Sequence, residues 1–93
     1  GRTWTTDGLY RETIKKRENM IRHGCIIVEM EQSALMAVSK YRNVNYASLI
    51  YAGDDISGDI WDSRKWCNRD DVRAAMCNLA LEFLLKRQKN EQL

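Results

Sequence analysis

The run Cys25-Ile26-Ile27-Val28, which ends at Glu29-Met30-Glu31, constrains this chain more than any other stretch. A short, continuous, largely β-branched apolar run is the pattern of a strand covered on both sheet faces, and such strands belong to parallel sheets flanked by helices. Its neighbours fit that arrangement. Arg11 to His23 is built from good helix formers, with Ile14, Met20 and Ile21 spaced for one face. Gly24 stands where a left-handed C-terminal cap is wanted. From Glu31 to Arg42 the sequence Gln32-Ser33-Ala34-Leu35-Met36-Ala37-Val38 is apolar nearly all round, which predicts a largely buried helix.

Two further strands frame this unit. Trp4-Thr5-Thr6 is rich in β-formers and stops at the turn Asp7-Gly8, so it reads as a strand tail. Tyr46-Ala47-Ser48-Leu49-Ile50-Tyr51-Ala52 predicts another strand, ending in Gly53-Asp54-Asp55. Ile56 to Cys67 is a long loop carrying Trp61 and Trp66. It leads to a helix with an apolar stripe at Val72, Ala75, Met76, Leu79, Ala80, Phe83 and Leu84, with Asn68 and Asp71 as a cap pair and fraying expected from Gln88. The order strand, helix, strand, helix, strand, loop, helix defines an α/β fold. Helical crossovers of this length join parallel strands, so the strand tips are expected on one edge of the sheet.

Composition narrows the partners. The net charge of +2 arises from 15 basic and 13 acidic residues spread along all 93 positions, too weak a field to steer nucleic acid or an anionic membrane. Three cysteines, an odd number, read as free thiols in a reducing compartment, and no run approaches the roughly 18–20 apolar residues of a membrane helix. A cytoplasmic protein is expected. With no proline and no linker, residues 1–93 read as one unit, and the opening at Gly1-Arg2-Thr3 reads as part of something longer. His23 and Cys25 lack further ligands at zinc spacing. A calcium loop fails as well, because aligning Gly58 with the loop glycine leaves Gly53 and Arg64 at the first and last ligand positions. Lys15-Lys16-Arg17 reads as a solvated helix face.

The chemistry gathers at the strand tips: Asp7, then Glu29 and Glu31, then Asp54 and Asp55. Ligands of open α/β sheets bind beyond the carboxyl ends of the strands. An ionised carboxylate only accepts hydrogen bonds, and a ribose offers two adjacent hydroxyl donors, so one Glu can take both. A second carboxyl that keeps its proton can act as general acid on a departing base, as cleavage of a glycosidic bond requires. The same residues equally fit a helix start and a turn. The residues alone leave both readings open.

Thr5-Thr6-Asp7-Gly8-Leu9-Tyr10, then Gly24 with Val28-Glu29-Met30-Glu31-Gln32-Ser33-Ala34-Leu35, then Gly53-Asp54-Asp55-Ile56, resembles the C-terminal half of the nucleoside phosphorylase family. That family includes purine nucleoside phosphorylase, uridine phosphorylase and the methylthioadenosine nucleosidases. The resemblance implies the C-terminal part of a three-layer, phosphorylase/hydrolase-like α/β domain. It implies that Glu31 binds the ribose hydroxyls, that Met30 packs against the sugar, that Glu29 lines the pocket and that Asp54 protonates a purine base. Gly53 replaces a serine of the purine-specific pattern. Leu9 stands where the family has a stacking aromatic, with Tyr10 beside it, and Arg64 is the candidate support for Asp54 at a different spacing. Phosphorolysis with inorganic phosphate as co-substrate, no cofactor and no metal is implied, as is a homo-oligomer. The family builds its phosphate site mainly from N-terminal residues. A missing N-terminal half is therefore the expected first partner, and the isolated chain is expected to be inactive as a phosphorylase. A nucleosidase using water, and a non-catalytic nucleoside-binding or structural module, are the alternatives. A small DNA-binding helical domain conflicts with the apolar strands and the near-neutral charge.

Overall fold

A computed structural model describes residues 1–92, without the side chains of Leu9 and Trp66. Two compact units divide the chain, Gly1–Ala47 and Ser48–Leu93.

The first unit is built on two parallel strands, β1 (Arg2–Thr5) and β2 (Cys25–Glu29). Between them run a 3-10 turn at Leu9–Arg11 and helix α1 (Ile14–Arg22); helix α2 (Gln32–Tyr41) follows β2. The strand–helix–strand order and the parallel pairing are those expected from the apolar run and its flanks. The Thr13 hydroxyl caps α1 by accepting the Lys16 amide at 3.3 Å. At its other end the chain reverses through Gly24, whose φ of +82° is open to glycine and strained for other residues. The Arg2 guanidinium donates to the His23 carbonyl and ties the start of β1 to this turn.

Side chains alternate along β1, and the alternation assigns the faces. Trp4 and Thr6 point one way and are the buried residues among those described in the unit, at 7% and 5% exposure. The Lys16 ammonium of α1 lies 5.6 Å from the Trp4 ring centroid, within cation–π range. Thr3 and Thr5 point the other way, where the Ser33 amide at the start of α2 reaches Thr5. The ladder pairs Thr3 with Ile27, Trp4 with Val28 and Thr5 with Glu29, but Arg2 with Cys25, so Ile26 has no opposite number.

Three expectations are corrected. β2 is not covered on both faces: Ile26, at the register irregularity where it has no ladder partner, is 74% exposed. α2 is not largely buried; Leu35, Met36 and Val38 are all exposed. A helix that is apolar all round needs cover on several sides, and strands of four and five residues offer little area. The strand expected at Tyr46–Ala52 does not form, and the segment carries no ladder. Its apolar, β-branched composition suits a strand, but a strand exists only where a neighbour supplies partners for its backbone. The segment instead spans the boundary between the two units.

The second unit contains one long helix, α3 (Asp70–Glu91), preceded by a 3-10 turn at Trp66–Asn68. Asp70 and Asp71 lie in its first turn, where acidic side chains suit the helix dipole. The expected Asn68–Asp71 cap pair is absent. Arg64 and Lys65 adopt positive φ, and the Asn68 amide donates to the Lys65 carbonyl at 2.9 Å, so Asn68 belongs to the 3-10 turn and Arg69 precedes the helix. Arg73 holds Asp70 at 2.8 Å and also engages Tyr51. Of the predicted stripe, Val72, Met76 and Ala80 are half-buried, whereas Leu79, Phe83 and Leu84 are exposed. The helix continues through the stretch expected to fray, with Arg87 and Glu91 paired at 2.8 Å; Leu93 lies outside the described residues. Among the described residues no helix is long and apolar enough to cross a membrane.

Nothing lies within 4 Å of a Cβ built on Gly24, so its substitution is opposed by backbone strain rather than by a clash. Gly24→Ala is therefore expected to lower unfolding free energy by about 1 kcal/mol in a urea titration.

Candidate functional site

The tips of β1 and β2 bring together Thr3, Thr5, Glu29, Glu31, Gln32 and Ser33. The parallel pairing sets Thr5 beside Glu29, and the chain enters α2 after two intervening residues. Glu29 Oε1 accepts hydrogen bonds from the Thr5 hydroxyl and from the Thr3 hydroxyl at 3.1 Å. Its Oε2 accepts the backbone amides of Glu31 at 2.8 Å and of Gln32 at 2.6 Å. One carboxylate thus clasps both strands and the start of a helix. The next orphan amide of α2, that of Ser33, donates to Thr5 Oγ1 at 3.2 Å. The Thr6 amide extends the ladder by donating to the Glu29 carbonyl at 2.9 Å.

This environment sets the charge of Glu29. Partial burial, the largest single influence, pushes its carboxyl up. The hydrogen bonds from Thr5, Gln32, Glu31 and Thr3 together outweigh it and hold the carboxyl below its ordinary value of 4.5. Glu29 is also the anion at the positive end of the α2 dipole, so that end of the helix is filled by the chain's own carboxylate.

Glu31 differs in every respect. It occupies the cap position of α2 with no side-chain capping bond, its side chain is exposed, and among the described residues its carboxylate accepts no hydrogen bond. Its backbone is nonetheless fixed, through its amide on Glu29 and through its carbonyl, which accepts the Leu35 amide at 3.0 Å. Met30, between the two acids, is 49% exposed. A free acceptor on a held backbone with an apolar neighbour can receive paired hydroxyls on a molecule with one greasy face.

The other expected residues are placed separately. Tyr10 is 99% exposed on the 3-10 turn after β1, and the Leu9 side chain lies outside the described residues. Asp7 forms an exposed pair with Arg11 at 3.3 Å, a contact of small energetic weight. Asp54, Asp55 and Arg64 belong to the second unit. With the strand at Tyr46–Ala52 absent, the shared sheet edge that was to join Asp54 to Glu31 is not formed.

Within its own unit Asp54 is oriented by Trp61, whose indole N–H donates to Oδ2 at 2.7 Å. Asp55 closes a small loop through paired backbone bonds with Asp62 at 2.7 and 3.0 Å. The Ser57 hydroxyl, and next its amide, hold the Asp55 carboxyl below its ordinary value; slight burial opposes them and the Arg64 charge assists. The Arg64 amide donates to Asp62 Oδ1 at 3.0 Å, which ties Arg64 to the same small loop through its backbone.

Sequence reasoning missed the clasp made by Thr3 and Thr5 and the bond from Trp61 to Asp54. The Thr-x-Thr spacing in a strand of period two, beside a strand ending in Glu, carries the information for the clasp. The Asp54–Trp61 separation is a loop property without a periodic trace.

The profile of the Phosphorylase superfamily matches residues 1–84, and the chain belongs to that superfamily. Its function is accordingly of the nucleoside phosphorylase or hydrolase type at the level of the family. Comparison with curated proteins yields no match, and comparison with solved structures yields none either.

A group whose folded value is lowered contributes stability that is fully present above its unfolded value and lost as pH falls through the folded one. Stability of the chain is therefore expected to decline as pH drops below 4.5, the ordinary value of Glu29. Glu29→Gln should lose the Glu29 share of that decline, read by comparing urea midpoints of the two proteins across acidic pH.

Proposed function

We propose that the chain is the sugar- and base-recognising C-terminal portion of a nucleoside phosphorylase, transferring the pentosyl group of a purine nucleoside to inorganic phosphate. The observation that carries this reading is the contrast between the saturated Glu29 carboxylate and the exposed, unengaged Glu31 carboxylate at the end of β2.

Glu31 accepts the two ribose hydroxyls, with Met30 against the sugar. Glu29 lines the pocket wall as the clasp rather than as a sugar ligand. Asp54 is the proton donor to the departing base, oriented by the Trp61 indole N–H that donates to its Oδ2. Protonating the base makes it a better leaving group as positive charge develops on the sugar. Tyr10 serves the base side, and Arg64 belongs to the loop that carries Asp54, through its amide on Asp62. Because Glu29 fills the N-terminus of α2, phosphate is seated on other residues, in the N-terminal half that the family resemblance supplies. The working enzyme is a homo-oligomer with no cofactor, and three free cysteines suit a reducing compartment.

Loss of a hydrogen bond to a charged acceptor costs about 1.5–3 kcal/mol, so Glu31→Ala should weaken inosine binding by at least about tenfold in an NMR titration of the 93-residue chain. Unchanged binding contradicts the assignment of Glu31. In the complete enzyme, Asp54→Asn should lower purine nucleoside turnover by about two orders of magnitude or more. Turnover should also require added phosphate; turnover in phosphate-free buffer marks a nucleosidase instead.

A further inference from the structure

One hydroxyl on β1 touches both ends of the turn that carries Glu31. Thr5 Oγ1 donates to Glu29 Oε1 and accepts the Ser33 amide at 3.2 Å, while the other oxygen of Glu29 takes the amides of Glu31 and Gln32. Three consecutive backbone N–H groups, at residues 31–33, are thereby referenced to the first strand through two side chains. The Thr3 hydroxyl adds one bond to the clasp but none to the helix start.

We propose that Thr5 is a positioning residue for ribose recognition: its hydroxyl fixes the turn from β2 into α2 and so aims the Glu31 carboxylate, without touching the sugar. The inference rests on Glu31 being the ribose acceptor. A bidentate grip on two adjacent hydroxyls depends on the direction of the carboxylate plane, whereas contacts to the base do not involve it. The exposed Glu31 side chain has no hydrogen bond of its own to hold it among the described residues, so its direction is inherited from its backbone. That backbone is set by Glu29, and Thr5 is the residue that holds both Glu29 and the Ser33 amide. Replacing the hydroxyl by a methyl group of similar shape removes both Thr5 bonds at once and loosens the aim of Glu31 while leaving strand packing nearly unchanged.

The test compares inosine with 2′,3′-dideoxyinosine, which lacks the paired hydroxyls, in NMR titrations of the 93-residue chain. The unaltered chain is expected to prefer inosine. Thr5→Val should weaken inosine binding about three- to tenfold and leave the dideoxy compound unaffected, because the lost hydroxyl acts on the sugar only through the aim of Glu31. Thr5→Ser should recover the preference. A purely structural Thr5 weakens both ligands alike, and an unchanged preference in Thr5→Val overturns the proposal while leaving Glu31 in place. Should the unaltered chain fail to distinguish the two ligands, the ribose assignment of Glu31 falls and this inference with it. If Thr5→Val does not fold, Thr5→Ala removes the same hydroxyl without added bulk and carries the test: inosine binding should weaken while the dideoxy compound is unaffected, and an unchanged preference overturns the proposal.

Discussion

The first unit depends on one carboxylate. Glu29 sits where β2 ends, and its two oxygens take four donors from two places: the hydroxyls of Thr3 and Thr5 on β1, and the amides of Glu31 and Gln32 at the entrance to α2. A two-stranded sheet is marginal without further cover. A helix start leaves four amides without intrahelical partners. The Glu29 clasp answers both needs, because it bridges the strands beyond their ladder and satisfies orphan donors of the helix. Breaking it strands several polar groups together, and such coupled losses exceed the value of any single bond.

Two glutamates one residue apart therefore have different work. Glu29 is ionised, engaged and partly withdrawn from water; Glu31 is exposed and unengaged. Environment divides the roles of chemically identical side chains, as it does wherever paired carboxylates serve distinct steps. The same clasp decides what the start of α2 cannot do. A helix N-terminus is a ready anion site, but this one is filled by the chain itself.

The parts of this architecture that were legible in the sequence are those with a local cause. Gly24 marked its turn because only glycine enters that region of φ without strain. The apolar run at 25–28 marked β2, and the spacing of α1 implied a parallel partner. Tyr46–Ala52 was misread because composition reports which faces suit burial, while strand formation depends on a neighbour that composition does not name. Burial of α2 was overestimated for a related reason: its apolar residues state what it could cover, not what covers it. The strand-tip pattern singled out Glu29 and Glu31 and the family resemblance implied their pocket roles, but their separate environments depend on Thr3 and Thr5 lying across the ladder. The tie of the Arg64 amide to Asp62 and the Asp54–Trp61 bond belong to an irregular loop, where neither period nor pairing gives a guide.

The division of labour between the two glutamates is tested most directly by a crystal structure with a purine nucleoside bound. The Glu31 carboxylate should lie within hydrogen-bond distance of both ribose hydroxyls, with Glu29 still held by Thr3, Thr5 and the α2 amides. A sugar bound to Glu29, with Glu31 left in solvent, would contradict the account.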